Sequence, residues 1–229
     1  MIRAVIFDMY ETLITHYHGK SPLYFSPQMA EEAQVPLEKF QEIWRGRECE
    51  RTVGKLSLED TLRLIIKENT SCSEKEIHQK VVQMTEKRIA TAEACFRHLH
   101  PEILPMFEEL KKRKIKIGLI SNCFSEEADV IRRSALVPYF DCMCLSYELG
   151  VRKPEQEIYQ ICVDELGVQP EECLYIGDGG SNELEAARCL GMNAVQAVWY
   201  LKNRGDWSAK KKEEFRQAMT PSDVIEYLD

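Results

Sequence analysis

The stretch Val5-Ile6-Phe7-Asp8-Met9-Tyr10-Glu11-Thr12-Leu13 decides the fold. An apolar run ends abruptly in a carboxylate, and a hydroxyl residue follows four positions later. A short apolar run of this kind reads as a buried strand. Open α/β sheets place their reactive groups where such strands end. By itself Asp8 reads equally well as a turn or helix-cap residue, so the rest of the chain has to weigh the two.

From Pro101 onward helices alternate with short apolar strands. Helices are expected over Pro101–Lys114, Glu126–Leu136, Glu155–Leu166 and Asn182–Leu190, and strands over Ile115–Ser121, Cys142–Ser146, Cys173–Gly177 and Ala194–Val198. Such alternation implies a parallel sheet with helices on both faces. A last helix is expected over Ser222–Leu228. Between the first strand and this region, Gln28 to about Ala94 shows only helical patterning: Gln28–Gln34, Leu37–Thr52, Leu58–Glu68 and Glu74–Thr91. Ser57 and Ser73 are each followed three residues later by an acid, the capping-box signature. Leu58, Leu62, Ile65 and Ile66 form one apolar stripe. The fold class is therefore α/β, a Rossmann-like parallel-sheet core carrying an inserted α-helical domain. Residues 1–15 and 97–229 are assigned to the core and 16–96 to the insert.

Composition narrows the function. The 229 residues, 44% hydrophobic and 30% charged, suit a globular protein with a full core. A formal net charge of -8 argues against broad nucleic-acid or anionic-membrane binding, which needs a basic face. The basic runs at 111–114 and 210–212 read as solvated faces. No stretch reaches the ~20 apolar residues of a membrane span. Nine scattered cysteines without a Cys-x-x-Cys pair, and no signal-like amino terminus, point to reduced thiols in a cytoplasmic protein. Cys142 and Cys144 would share one strand face, yet a metal site needs further ligands that the spacing does not supply. A monomer or homodimer is expected.

Three further stretches fall at predicted strand ends and would converge with Asp8 at one sheet edge. They are Ser121-Asn122, then Lys153-Pro154, then Gly177-Asp178 with Glu183 following two flexible glycines. The chemistry is coherent. Asp8 and Asp178 can hold a hard cation such as Mg²⁺, which prefers oxygen ligands. Asp8 can also attack an electrophile and form a covalent intermediate. Thr12, Ser121 and Lys153 supply donors and a positive charge for an anionic group, and phosphoryl transfer relies on such a clamp.

On these four motifs the chain resembles the haloacid dehalogenase (HAD) superfamily over essentially its whole length, and its insert is similar to that superfamily's type-1 helical cap. The resemblance implies that Asp8 is the nucleophile, that Thr12, Ser121 and Asn122 bind the transferred group, and that Lys153 stabilises charge. It further implies that Asp178 and Glu183 place Mg²⁺ beside Asp8, with the main-chain carbonyl of Tyr10 as another ligand. The substrate would be a small phosphorylated or otherwise anionic molecule.

One position departs from the pattern. Phosphatases of the superfamily typically carry an acid/base aspartate two residues after the nucleophile, where this chain has Tyr10. A phenol titrates near pH 10, so it can donate a proton but is a poor base near neutrality. An aromatic there resembles the L-2-haloacid dehalogenase branch, in which Arg45 of Ile43-Trp44-Arg45 would hold halide and no metal is needed. Gly177-Asp178 points the other way, because an acid beside Asp8 would repel a haloacid carboxylate unless a cation neutralised it. A Mg²⁺-dependent phosphatase of low activity is therefore the first reading. A metal-independent dehalogenase is the second, and a ligand-binding or regulatory protein that kept the anion site is the third. His16, Tyr17, His18, Tyr24, Phe25 and Arg45 are candidate substrate contacts, and the loop 199–205 could line the edge of the site.

Overall fold

The computed structural model describes residues 1–16, 24–201 and 210–228. Strand β1 (Ala4–Phe7) is buried at every position. It lies between β2 (Lys116–Ser121) and β4 (Cys173–Gly177) in a six-stranded sheet of order β3-β2-β1-β4-β5-β6. All pairings are parallel, with Phe7 in register with Leu119 and Ile176. Helices cover both faces, which is why β1 and β4 read as unbroken apolar runs. The chain runs outward from β1 in one direction through β2 and β3 (Cys142–Leu145), then in the other through β4 and β5 (Asn193–Ala197). A sheet whose strand order reverses in this way opens a crevice at the carboxyl ends of its central strands, and Asp8 stands there.

The insert holds α1 (Ser26–Ala33), α2 (Leu37–Gly46), α3 (Glu48–Thr52), α4 (Leu58–Asn69) and α5 (Glu74–Cys95). These helices pack around an apolar cluster of their own, which includes Met29, Phe40, Ile77 and Met84. The expected stripe Leu58, Leu62, Ile65 and Ile66 is wholly buried in it. Ser73 makes a full capping box with Glu76. Ser57 Oγ accepts from Asp60 N at 3.0 Å, whereas the Asp60 carboxylate turns back to the serine hydroxyl.

The core adds α6 (Ile103–Lys112), α7 (Ser125–Arg133), α8 (Ser146–Leu149), α9 (Gln156–Leu166) and α10 (Glu183–Cys189). Several expectations need correction. The single helix expected over Leu37–Thr52 breaks at Gly46 and Arg47; glycine costs a helix interior about 1 kcal/mol, which makes it a natural breaking point. The third core strand stops at Leu145, and Ser146 opens the one-turn α8. A sixth strand, β6 (Arg216–Ala218), lies at the sheet edge. Only its Ala218 is buried, so no apolar run announces it. The tail at Pro221–Tyr227 is a 3₁₀ helix rather than an α-helix; Asp223 caps its start by accepting from the main-chain N–H of Met219 and of Thr220.

Arg88 of α5 ties the insert to the core. Its guanidinium donates to Glu126 Oε1 at 3.1 Å, lies 3.5 Å from Glu127 Oε1 and donates to the Tyr24 carbonyl at 3.2 Å. All three charged residues are buried. Removing one member of a buried ion pair strands the others and costs about 3–5 kcal/mol. Arg88→Ala should lower unfolding stability by about that amount in a denaturant titration. The double variant Arg88→Met/Glu126→Gln should regain much of it; equal stability of Arg88→Ala and the parent would show that the network does not hold the insert in place.

Candidate active site

At the carboxyl end of β1 the turn after Asp8 folds back on itself. Leu13 N and Ile14 N donate to the Met9 carbonyl at 2.9 and 3.0 Å, and Glu11 takes a left-handed conformation at φ 61°. The Glu11 carboxylate holds this geometry by accepting from Thr15 Oγ1 at 2.7 Å and His16 N at 2.8 Å. The turn brings Thr12 Oγ1 to 3.4 Å from Asp8 Oδ2. From across the sheet, buried Trp199 donates its indole N–H to the Thr12 carbonyl at 2.8 Å.

Lys153 reaches this point from the loop before α9. Its ammonium donates to Asp8 Oδ1 and, at 2.5 Å, to Glu183 Oε2. Asn122, expected to bind the transferred group, grips the lysine's main chain: Nδ2 donates to the Lys153 carbonyl at 3.0 Å and Oδ1 accepts from Lys153 N at 2.8 Å. Ser121 is fully buried beside it at the end of β2. Glu183 is enclosed. Its Oε2 also accepts from Tyr175 Oη at 2.9 Å, and its Oε1 accepts from Gly179 N at 3.0 Å. A Cβ at Gly177 would collide with that carboxylate, so glycine is required for the approach. Asp178 accepts from Gly180 N at 3.0 Å, and Gln196 Nε2 donates to its carbonyl at 2.8 Å. Tyr175 and Gln196 are supporting residues that the sequence reading did not assign, whereas Trp199 belongs to the loop 199–205 expected at the edge of the site. The only signal for Tyr175 is its position two residues before Gly177 on one strand face.

Among the described residues, three carboxylates gather around the Lys153 ammonium. Oxygen atoms of Asp8, Asp178 and Glu183 lie within 4.8 Å of one another, with Lys153 as the ammonium among them. Burial pushes the Asp8 carboxyl above its usual range; Lys153 pulls it down and Asp178 pushes it up. Burial likewise raises Glu183 well above the carboxylate range, against the pull of Lys153 and with the push of Asp8 and Asp178. Burial opposes the charge on Lys153, but Asp8 and Glu183 outweigh it and hold the ammonium well above its ordinary pKa. A buried, all-oxygen set of carboxylates suits a hard divalent cation. Mg²⁺ therefore fits at Asp8 and Asp178, while Glu183, already bound to Lys153, Tyr175 and Gly179, is better placed to orient than to ligate.

The raised carboxylates fix a sign. Each contributes stability that is full below the ordinary carboxylate pKa and is lost as pH rises through its raised folded value. The metal-free protein should therefore lose stability toward alkaline pH, and a cation should offset that loss. The rise in Tm on adding Mg²⁺ should be larger near pH ~8 than near pH ~5 in thermal melts. An equal rise at both would place the cation elsewhere.

Among the described residues the Tyr10 hydroxyl makes no hydrogen bond to this cluster. Its ring stacks on His16 with centroids 4.5 Å apart and planes 9° from parallel. Burial lifts its phenol well above the ordinary value, and Glu127, Cys123, Cys95 and Glu126 add to the rise. Its Oη is buried, and among the described residues no group accepts from it or donates to it. Arg45 is exposed on α2. The buried arginine of the insert is Arg51, 1% exposed, its guanidinium sandwiched between the rings of Trp44 at 3.5 Å and Phe124 at 3.9 Å. None of its three nitrogens has a hydrogen-bond partner among the described residues. Burial pushes its pKa down to about 10, against Glu126 and Glu127. A cavity of about 310 Å³ opens between α3, at Glu48 and Thr52, and the core, at Asn122, Phe124, Lys153 and Asn182. Tyr24 is half-buried and donates to Glu32 at 2.7 Å, and the Phe25 ring lies tilted at 60° to that of His16 with centroids 6.4 Å apart. Tyr17, His18 and residues 202–205 lie outside the described residues.

Comparisons with known proteins agree with this architecture. The chain is 26% identical over 208 residues to the glyceraldehyde 3-phosphate phosphatase of Methanopyrus kandleri, covering 86% of this chain and 84% of that protein. It is 36% identical over 91 residues to the rhythmically expressed gene 2 protein of Drosophila melanogaster, covering 38% of this chain and 35% of that protein's length. Among solved structures, the 2-haloacid dehalogenase of Pseudomonas syringae pv. Tomato superposes with a TM-score of 0.73 at 21% identity over 99% of this chain and 97% of that one. A HAD family enzyme of Bacteroides thetaiotaomicron, in complex with magnesium and inorganic phosphate, superposes with a TM-score of 0.60 at 20% identity over 91% of this chain and 98% of that one. A family model described as haloacid dehalogenase-like hydrolase matches residues 2–191, and the chain belongs to that family.

Proposed function

We propose that this chain is a Mg²⁺-dependent phosphatase acting on a small phosphorylated metabolite through an aspartyl-phosphate on Asp8. The observation that carries the proposal is the pairing of Asp8 with Lys153 beside Asp178, within one buried group of carboxylates. A haloacid carboxylate would meet repulsion from Asp178 there. The phosphatase name of the Methanopyrus relative, and the magnesium and phosphate of the Bacteroides structure, support the same reading.

In this proposal an Asp8 carboxylate oxygen attacks phosphorus, the bond to the leaving oxygen breaks, and the leaving group takes up a proton. Water then cleaves the acyl phosphate, releasing inorganic phosphate and restoring Asp8. Lys153 fixes the orientation of the nucleophile and offsets its charge. Thr12 and Ser121 offer hydroxyl donors to the phosphoryl oxygens. The chemistry a bound Mg²⁺ supplies at Asp8 and Asp178 is neutralisation of phosphoryl charge. Release of phosphate from a panel of phosphorylated metabolites, abolished by chelation, tests the proposal. Release of halide from 2-chloropropionate in the presence of chelator would replace it with the dehalogenase reading. Binding of phosphate esters without turnover of any would replace it with the regulatory one.

Arg51 gives the substrate a second anchor. A buried guanidinium without a polar partner, next to the residues that line the cavity, suits an anionic group on the far side of the substrate. Hydrogen bonds to a charged group are worth about 1.5–3 kcal/mol. Arg51→Met should therefore raise KM by about 10- to 100-fold and leave kcat nearly unchanged, the signature of lost uniform binding. Steady-state kinetics on the best substrate of the panel decide it; an unchanged KM would reduce Arg51 to a packing residue.

A further inference from the structure

Two strands away from Asp8, at the edge strand β3, three buried thiols meet. Cys142 and Cys144 stand on one face of β3 with their sulfurs 3.6 Å apart. Cys162 of α9 comes down onto the same spot, and the three Sγ atoms all lie within 4.8 Å of one another. Cys162 can approach so closely because β2 carries Gly118 in register with Cys142: a Cβ at Gly118 would stand 2.9 Å from Cys162 Sγ. One turn further along α9, Glu165 is exposed and its Oε2 lies 3.0 Å from Cys142 Sγ. The four side chains come from two elements, β3 and α9.

We infer that Cys142, Cys144, Cys162 and Glu165 form a binding site for a thiophilic divalent cation, Zn²⁺, separate from the carboxylate site at Asp8. The size fits. The centre of a sulfur triangle with those separations lies at most about 2.6 Å from each corner, against about 2.3 Å for a Zn–S bond. Zn²⁺ takes tetrahedral sets of thiolate with nitrogen or oxygen, and three cysteines with one carboxylate complete such a set. Soft sulfur ligands select Zn²⁺ over Mg²⁺, whereas the all-oxygen cluster at Asp8 does the reverse. On binding, each thiol passes its proton to solvent and its sulfur forms a bond to the metal; no oxidation state changes. Glu165, at the exposed end of the group, marks the way in. A metal here would pin the edge strand to α9, the helix that follows the Lys153 loop.

The test uses the whole chain, reduced, freed of metal, and kept in excess Mg²⁺ so that the carboxylate site is occupied. Exposed Cys49 and Cys189 are first replaced by serine to remove adventitious thiols. Titration with Cd²⁺ should produce the ultraviolet thiolate-to-metal charge-transfer band and saturate at a single equivalent per chain, with Zn²⁺ competing it away. Cys144→Ala should abolish the band. Glu165→Gln, at an exposed position that does not threaten folding, should weaken binding by about tenfold or more. Asp178→Asn should leave the band intact. Absence of the band in the parent, its persistence in Cys144→Ala, or unchanged affinity in Glu165→Gln would overturn the inference and leave the cysteines as core packing.

Discussion

Asp8→Asn should lose turnover by about 10⁴-fold or more while keeping its fold, because removing a covalent nucleophile eliminates the step that later groups assist. The structure gives reason to expect an intact protein. Burial and the neighbouring Asp178 hold the Asp8 carboxyl above its usual range even with Lys153 beside it, so ionising Asp8 is harder in the folded state than in water. An uncharged amide of the same shape lowers that cost, and the metal-free Tm should stay level or rise. The two readouts separate the causes. Loss of activity with a fallen Tm would mean the variant damages the site's structure. Retained activity with a normal Tm would mean that Asp8 is not the nucleophile. Asp8→Asn should also flatten the pH dependence of the Mg²⁺-induced rise in Tm, since one of the two raised carboxylates is gone.

Much of this site is legible in the chain because its parts hang from strand ends. Asp8, Ser121 and Asp178 each follow an apolar run, and a parallel sheet carries the ends of such runs to one edge whatever the connecting helices do. Groups whose positions depend on side-chain reach are not legible in the same way. Nothing in the spacing says that Glu183 will accept from Lys153 and Tyr175 at once, or that Gln196, on the next strand, will hold the Asp178 carbonyl. The arginines of the insert show the limit most clearly. Arg45 and Arg51 are six residues apart, so they would sit on different faces of one continuous helix. The helix breaks at Gly46 and Arg47, and Arg51 rather than Arg45 ends up under the insert. The cysteines behave alike: alternation pairs Cys142 with Cys144, but only the packing of α9 brings in Cys162.

Tyr10→Asp should raise turnover of alkyl phosphates by about 10²-fold, and up to about 10⁴-fold, the usual worth of a placed acid/base. In the parent the phenol cannot fill that role. Burial and four acidic groups hold it well above its ordinary pKa, so near neutrality it neither takes nor readily gives a proton. The leaving oxygen must then depart with little help, and rates should depend steeply on its own acidity: aryl phosphates react, alkyl phosphates lag. Tyr10→Phe removes only an idle hydroxyl and should change turnover by less than about threefold. An aspartate at the same position would be shorter and would face Glu126 and Glu127, two carboxylates that tend to keep a third one protonated. A carboxylic acid that stays protonated near neutrality is what a departing alkoxide needs, as in other enzymes that tune an acid upward by burial and like charge. The gain should therefore be large on alkyl phosphates and small on p-nitrophenyl phosphate, whose leaving group needs no proton. A large loss in Tyr10→Phe would instead make the phenol a working donor, and equal gains on both substrate types would show that the new aspartate acts on binding rather than on the proton.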